Sequence, residues 1–231
     1  MKKYIKNISI CLLLVSISCA DDETCGYDAD QTIPCVPSST LLTDFEDYTI
    51  GTAGNWQQQF LTFMQVVVKS GSKKLYFRDG SGGSNAYNTI DFPKDLTQAG
   101  CEFTYDVEYD AGTSNAPSTT NSISIYKGNF STLTFTSRAA FVLKAPHLIV
   151  SGATTKNIIV PLSLASGSTL PSNAYGDWVL IGGSSTPTPA DIAAFNALIV
   201  NIDGISFPID SGSNPAEQWW YDNFKFTQCC P

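Results

Sequence analysis

The chain reads as all-β: a jelly-roll-like antiparallel β-sandwich with one short helix. Three observations predict it. Short β-branched and aromatic runs recur between clusters of Gly, Ser, Asn and Pro from residue 41 onward. Residues 102–109 alternate without a break, with Phe103, Tyr105, Val107 and Tyr109 on one face and Glu102, Thr104, Asp106 and Glu108 on the other. That is the pattern of a half-buried antiparallel strand with a solvated acidic side. Finally, only one segment carries a full helix start, and nothing repeats at a period of roughly twenty to fifty residues, which excludes solenoids and propellers.

The elements follow in order. Residues 41–46 open the domain. Residues 59–68 form a β-branched and aromatic run ending at Ser70-Gly71, and 74–78 a strand stopped by the loop Asp79-Gly80-Ser81-Gly82-Gly83. After 102–109, strands are expected at 122–127, 139–143, 147–151, 157–164 and 178–181. Thr188-Pro189-Ala190-Asp191 then starts the helix, 190–198, with Thr188 as N-cap and Pro189 in the first turn. Strands at 198–209 and 218–226 close the domain.

Ahead of the domain, Lys2, Lys3 and Lys6 precede an apolar run at 8–17, followed by Ser18, Cys19 and the acidic Asp21, Asp22 and Glu23. A basic start, a short apolar core and a small residue at the cut describe a secretory signal peptide. The run falls well short of the roughly twenty residues that a membrane-spanning helix needs. Cys19 at the cut predicts a lipoprotein acylated on that sulfur; an ordinary secretory signal with an incidental cysteine is the alternative. The expected organisation is a signal peptide at 1–18, an acidic tether at 19–40 and a single β-sandwich domain at 41–231. The acidic residues after Cys19 resemble the surface-export signal of Bacteroidetes lipoproteins, which implies a lipid-anchored protein on the outer face of the outer membrane.

The formal charge of −8 becomes −11 once Lys2, Lys3 and Lys6 leave with the signal. Nucleic acid and anionic lipid both call for a basic stripe, so neither is an expected partner. Export permits disulfides. Cys25 and Cys35 precede the first strand while Cys229 and Cys230 end the chain. If first and last strands are neighbours, each of Cys229 and Cys230 is expected to pair with one of Cys25 and Cys35, leaving Cys101 as the odd thiol. With no CxxC spacing and His147 as the single histidine, zinc is not expected.

Adjacent first and last strands also bring acids together. Asp44, Glu46 and Asp222 are the candidate ligands for a structural calcium ion, which takes about six to eight oxygens from carboxylates and carbonyls. Strict alternation along 218–226 places Asp222 with Trp220, Phe224 and Phe226 on the apolar face, where a carboxylate requires a cation or several donors. The same count puts Trp219 and Tyr221 outside. Exposed flat aromatics suit sugar, because pyranose C–H groups pack on a ring face while polar neighbours bind the hydroxyls. Trp219, Tyr221 and Trp56, with Arg78 and Asp79 at the edge of the glycine-rich loop, are therefore the candidate ligand-binding residues. Core packing is the competing role for each tryptophan, and Trp178 is assigned to the core.

Catalysis finds little support. The chain has no Gly-x-Ser-x-Gly elbow, P-loop or HExxH. Glu102 and Asp106 share a strand face about 13 Å apart, against the roughly 5 Å of a retaining glycosidase.

Tyr175-Gly176-Asp177-Trp178, Thr188-Pro189-Ala190-Asp191, Phe195, Leu198, Asp203-Gly204-Ile205 and Trp220-Tyr221-Asp222-Asn223-Phe224 follow one another in an order that resembles the laminin type IV (laminin B) module and its bacterial relatives. Asp44-Phe45-Glu46 is similar to the first strand of many galactose-binding-like carbohydrate-binding modules. The resemblance implies a jelly-roll fold and a non-catalytic cell-surface binding module, with polysaccharide as the first expected partner. A structural or adhesive subunit docking to an outer-membrane protein complex is the alternative.

Overall fold

The alternating segment 102–109 becomes a central strand of the first of two sheets. The computed structural model describes residues 37–60, 63–79, 84–112, 118–120, 122–152, 154–211 and 217–228. In chain order the elements are β1 (Ser38–Thr43), β2 (Gln57–Gln59), β3 (Phe63–Lys69), β4 (Ser72–Arg78), β5 (Asn85–Asn88), α1 (Leu96–Ala99), β6 (Glu102–Asp110), β7 (Ser118–Thr119), β8 (Ser124–Asn129), β9 (Thr134–Leu143), β10 (Ile149–Val150), β11 (Lys156–Pro161), β12 (Gly176–Leu180), α2 (Pro189–Ile199), β13 (Gly204–Pro208) and β14 (Gln218–Gln228). The expected strand at 59–68 is broken in two, with Phe60 in a left-handed conformation (φ 62°) just past β2. The expected strand at 198–209 begins only at Gly204, because α2 runs on to Ile199. β5, β7 and α1 were not anticipated.

Sheet one runs β11-β6-β14-β4-β3, with β1 also on β14; sheet two runs β12-β9-β8-β13-β5-β2; β10 and β7 form a small ladder. The first and last strands are antiparallel neighbours, as expected. β14 spends its first half against β4 and its second against β1, with β6 along its other side.

The alternating apolar residues of β6 meet those of sheet two across one core. Tyr105 lies 5.1 Å from Phe207, and Phe207 4.4 Å from Tyr221, ring centre to ring centre. Such pairs add to the area they bury, by about 0.5–1.5 kcal/mol each. α2 has the predicted start. The Thr188 hydroxyl accepts from the Asp191 amide while the Asp191 carboxylate accepts from the Thr188 amide, a complete capping box. Phe195, Leu198 and Ile199 are its buried face, and Phe195 packs 5.7 Å from Trp178, which is in the core as assigned.

Candidate aromatic platform and acidic cluster

The closing strand decides which aromatics face outward. Asn223 has a left-handed backbone (φ 53°), and the pairing of β14 with β6 shifts register between Asp222 and Lys225. This bulge inserts a residue into the alternation. Trp219 and Tyr221 before it, and Phe224 and Phe226 after it, therefore all face the core. Trp219 is fully buried and its indole N–H donates to the Ile209 carbonyl at 2.9 Å; Tyr221 is buried beside it. Neither is the exposed sugar platform expected from the sequence. Trp56 is corrected likewise: it is buried and stacked on Phe207 at 5.6 Å.

The same bulge turns Trp220 outward. On the solvent side of sheet one, half-buried Trp220 stands beside Tyr76 of β4 (5.3 Å), and Tyr76 beside Phe63 of β3 (6.0 Å), which is 44% exposed. Three rings thus cross three adjacent strands. The Tyr76 hydroxyl donates to the Gln218 side chain at 3.0 Å. Arg78, a predicted ligand-binding residue, is exposed at the end of the row with its guanidinium 5.4 Å from the Phe63 ring centre. Sequence reasoning missed this row, although the alternation Lys74-Tyr76-Arg78 against Leu75-Phe77 was there to be read.

Charge organises the rest of that face. Lys69 sits 3.2 Å above the Trp220 ring and 2.6 Å from a Glu108 oxygen; Lys74 holds the other oxygen, together with the Thr155 hydroxyl at 2.9 Å. Burial alone would raise the Glu108 pKa, but the hydrogen bonds from Lys69, Lys74 and Thr155 outweigh it and bring it down to about 2. Burial pushes Asp222 up, against the Asn223 amide, the charge of Lys74 and the Ser72 hydroxyl, with the charge of Asp106 adding to the rise.

The expected metal ligands do not assemble. Asp44 accepts from the Glu46 amide, Glu46 from the Lys73 amide, and Asp222 from Ser72 and Asn223. The Lys73 ammonium donates to the carbonyls of Glu46 and Tyr48, so a side-chain cation stands beside the first strand's exit. Asp222 shares the outward side with Trp220, for the bulge lies beyond it. Among the described residues, the carboxylates with one ligand atom each within 4.8 Å of one another are Asp79, Asp210 and Glu217. Asp79, predicted to read ligand beside Arg78, is buried in that group instead. Glu217 is buried too and accepts from the Ser211 amide at 2.9 Å. Oxygens so placed are what a hard cation such as calcium uses.

The middle of sheet two's outward side is filled, while Val142 of β9 and Val179 of β12 stand exposed toward its edge. Tyr87, Tyr126 and Phe130 pack there as a buried cluster with Phe135. The Ser124, Ser206 and Tyr126 hydroxyls and the Arg138 Nε are buried on that side and lack a hydrogen-bond partner.

Cys101 is disulfide-bonded, which corrects the expectation of an odd thiol. Its partner lies outside the described residues, as do Cys19, Cys25, Cys35, Cys229 and Cys230.

No protein-family model and no curated protein matches the chain. Among solved structures, an exo-β-agarase is similar at 13% identity and a TM-score of 0.53, over 83% of this chain and 25% of that one. A family 11 carbohydrate-binding module of the cellulosomal cellulase Lic26A-Cel5E of Clostridium thermocellum aligns over 84% of this chain and 95% of its own (14% identity, TM-score 0.48). The L4b domain of human laminin α-2 aligns over 71% and 83% (14% identity, TM-score 0.45). At 13% identity the likeness to the agarase is one of fold alone and leaves the ligand to be argued from the residues.

Proposed function

We propose that this chain is a non-catalytic polysaccharide-binding module, carried on the cell surface by a lipid anchor at Cys19, and that it binds through the outward side of sheet one. The observation that carries this is the row Phe63, Tyr76 and Trp220, in which the Lys69 ammonium covers the Trp220 face and leaves stacking to Phe63 and Tyr76. Flat rings on adjacent strands offer stacking surfaces for successive sugar units, and Gln65, Gln218 and Arg78 stand around them to meet hydroxyls. The outward side of sheet two carries a buried aromatic cluster at its middle and exposed Val142 and Val179 toward its β12 edge, and no comparable row of rings among the described residues.

The test is a binding screen of the full chain against soluble and insoluble polysaccharides, with Phe63→Ala and Tyr76→Ala alongside. Loss of binding in both variants, with unchanged melting, supports the platform. Failure to bind any polysaccharide, with co-purification of an outer-membrane complex, would favour the docking subunit instead. Cys19→Ala is expected to release the protein from membranes. A structural calcium ion remains part of the proposal, and Asp79, Asp210 and Glu217 are the described carboxylates with the spacing for it. An identical melt with and without chelator, after calcium loading, would remove the ion from the proposal.

A further inference from the structure

The β3–β4 hairpin is the basic part of an acidic chain. Residues Phe63 to Arg78 include Lys69, Lys73, Lys74 and Arg78 and no Asp or Glu, in a protein of formal charge −8. Three of these cations are committed. Lys73 donates to the carbonyls of Glu46 and Tyr48, while Lys69 and Lys74 both pair with Glu108. Arg78 is different. It is exposed, and among the described residues no carboxylate forms an ion pair with it. It lies at the Phe63 end of the aromatic row, away from Asp106 and Asp222.

A neutral sugar needs no unpaired cation beside its stacking surface. A guanidinium offers a planar fork of donors that matches a carboxylate or sulfate two bonds at a time. We infer that the platform takes an acidic polysaccharide, a chain bearing carboxylate or sulfate groups, with one anionic group on Arg78 while the sugar ring stacks on Phe63 and Tyr76. This rests on the platform reading above and adds the charge of the ligand to it. On the outward face Asp106, Glu108 and Asp222 lie on β6 and β14, and Lys69, Lys74 and Arg78 on β3 and β4, while Asp110 lies across Gln218 from Arg78 and Asp79 follows Arg78 in the chain.

The experiment is affinity electrophoresis of the full chain in gels containing polygalacturonate, alginate or carrageenan. Each is set against an uncharged counterpart, such as fully methyl-esterified pectin or agarose. Retardation by at least one acidic polymer, about fivefold weaker with its uncharged counterpart, is expected, the size of one exposed charge-assisted pair. Arg78→Gln should reduce binding of the acidic polymer to the uncharged level, and Tyr76→Ala should abolish both. Equal retardation by charged and uncharged polymers, or an unaffected Arg78→Gln, overturns the acidic ligand while the loss in Tyr76→Ala keeps the platform. A Tyr76→Ala variant that binds like wild type overturns the platform, and the inference with it. Retardation by single-stranded DNA equal to that by the acidic polymer would likewise overturn the assignment to sugar.

Discussion

Tyr221 and Phe224, three residues apart on one strand, point into the same core with their ring centres 6.5 Å apart. An unbroken strand would send them to opposite faces. The left-handed turn at Asn223 reconciles them, and it also presents Trp220 to solvent. Asn tolerates this backbone better than most residues, whereas a β-branched side chain there is strained. The Asn223 side-chain Nδ2 further donates to Asp106 at 2.8 Å.

Asn223→Val is therefore expected to lower the melting temperature more than Asn223→Gly, although both lose the bond to Asp106. The difference should correspond to about 1–2 kcal/mol. Equal melting of the two variants would mean that the bulge carries no backbone strain.

The two neighbouring tryptophans should separate stability from binding. Trp219 is fully buried with its N–H satisfied, so Trp219→Ala is expected to cost about 3–5 kcal/mol. Trp220→Ala removes a half-buried ring from the outward row and should melt much closer to wild type while weakening polysaccharide binding. Thermal melts and binding isotherms on the same samples check both. A Trp220→Ala variant that binds normally would confine the platform to Phe63 and Tyr76.

The fold was legible because its signals are local. The alternation in 102–109, the capping sequence at Thr188 and the β-branched runs each fix an element without reference to distant residues. The site was less so, and Asp222-Asn223 shows why. Alternation counted back from Phe226 is correct as far as Phe224 and inverted beyond the bulge, so one unrecognised backbone turn exchanged Trp219 and Tyr221 for Trp220. Register between strands is equally hidden from one strand's sequence: nothing local to Tyr76 says that Trp220 and Phe63 flank it. Trp56 sits in a polar stretch, Asn55 to Gln59, yet is buried because Phe207 and Phe77 from other strands close over it.

Glu108 gives the outward face an acid limit. Its pKa falls from an ordinary 4.5 to about 2 in the fold, held by Lys69, Lys74 and Thr155 against its burial. A carboxyl depressed in the folded state contributes stability above its unfolded pKa and loses that contribution as pH falls through the folded value. Wild type should thus lose this contribution between about pH 4.5 and about pH 2. Glu108→Gln is expected to be less stable at pH 7, where it leaves buried Lys74 without its partner, and the gap to wild type should narrow across that window. A gap that stays constant from pH 7 to pH 2 would show that the charge of Glu108 contributes nothing.

Cys101 is the last relationship that the fold turns into a measurement. Its amide donates to the Thr227 carbonyl at 2.8 Å and its sulfur lies 3.3 Å from the same oxygen, while Thr227 is the register partner of Glu102. Continuing that register sets Gln228 opposite Cys101, and Cys229 and Cys230 come next in the sequence. Peptide mapping under non-reducing conditions is therefore expected to find Cys101 joined to Cys229 or Cys230, which leaves at most one of those two for Cys25 or Cys35. Chain entropy alone would make closure of so long a loop stabilise by about 5 kcal/mol through the unfolded chain. Cys101→Ser should accordingly lower the melting temperature of the oxidised protein and reduce its response to reductant. Recovery of Cys101 linked to Cys25 or Cys35 would instead mean that the segment ahead of β1 folds back onto the start of β6, and the C-terminal pairing would fall.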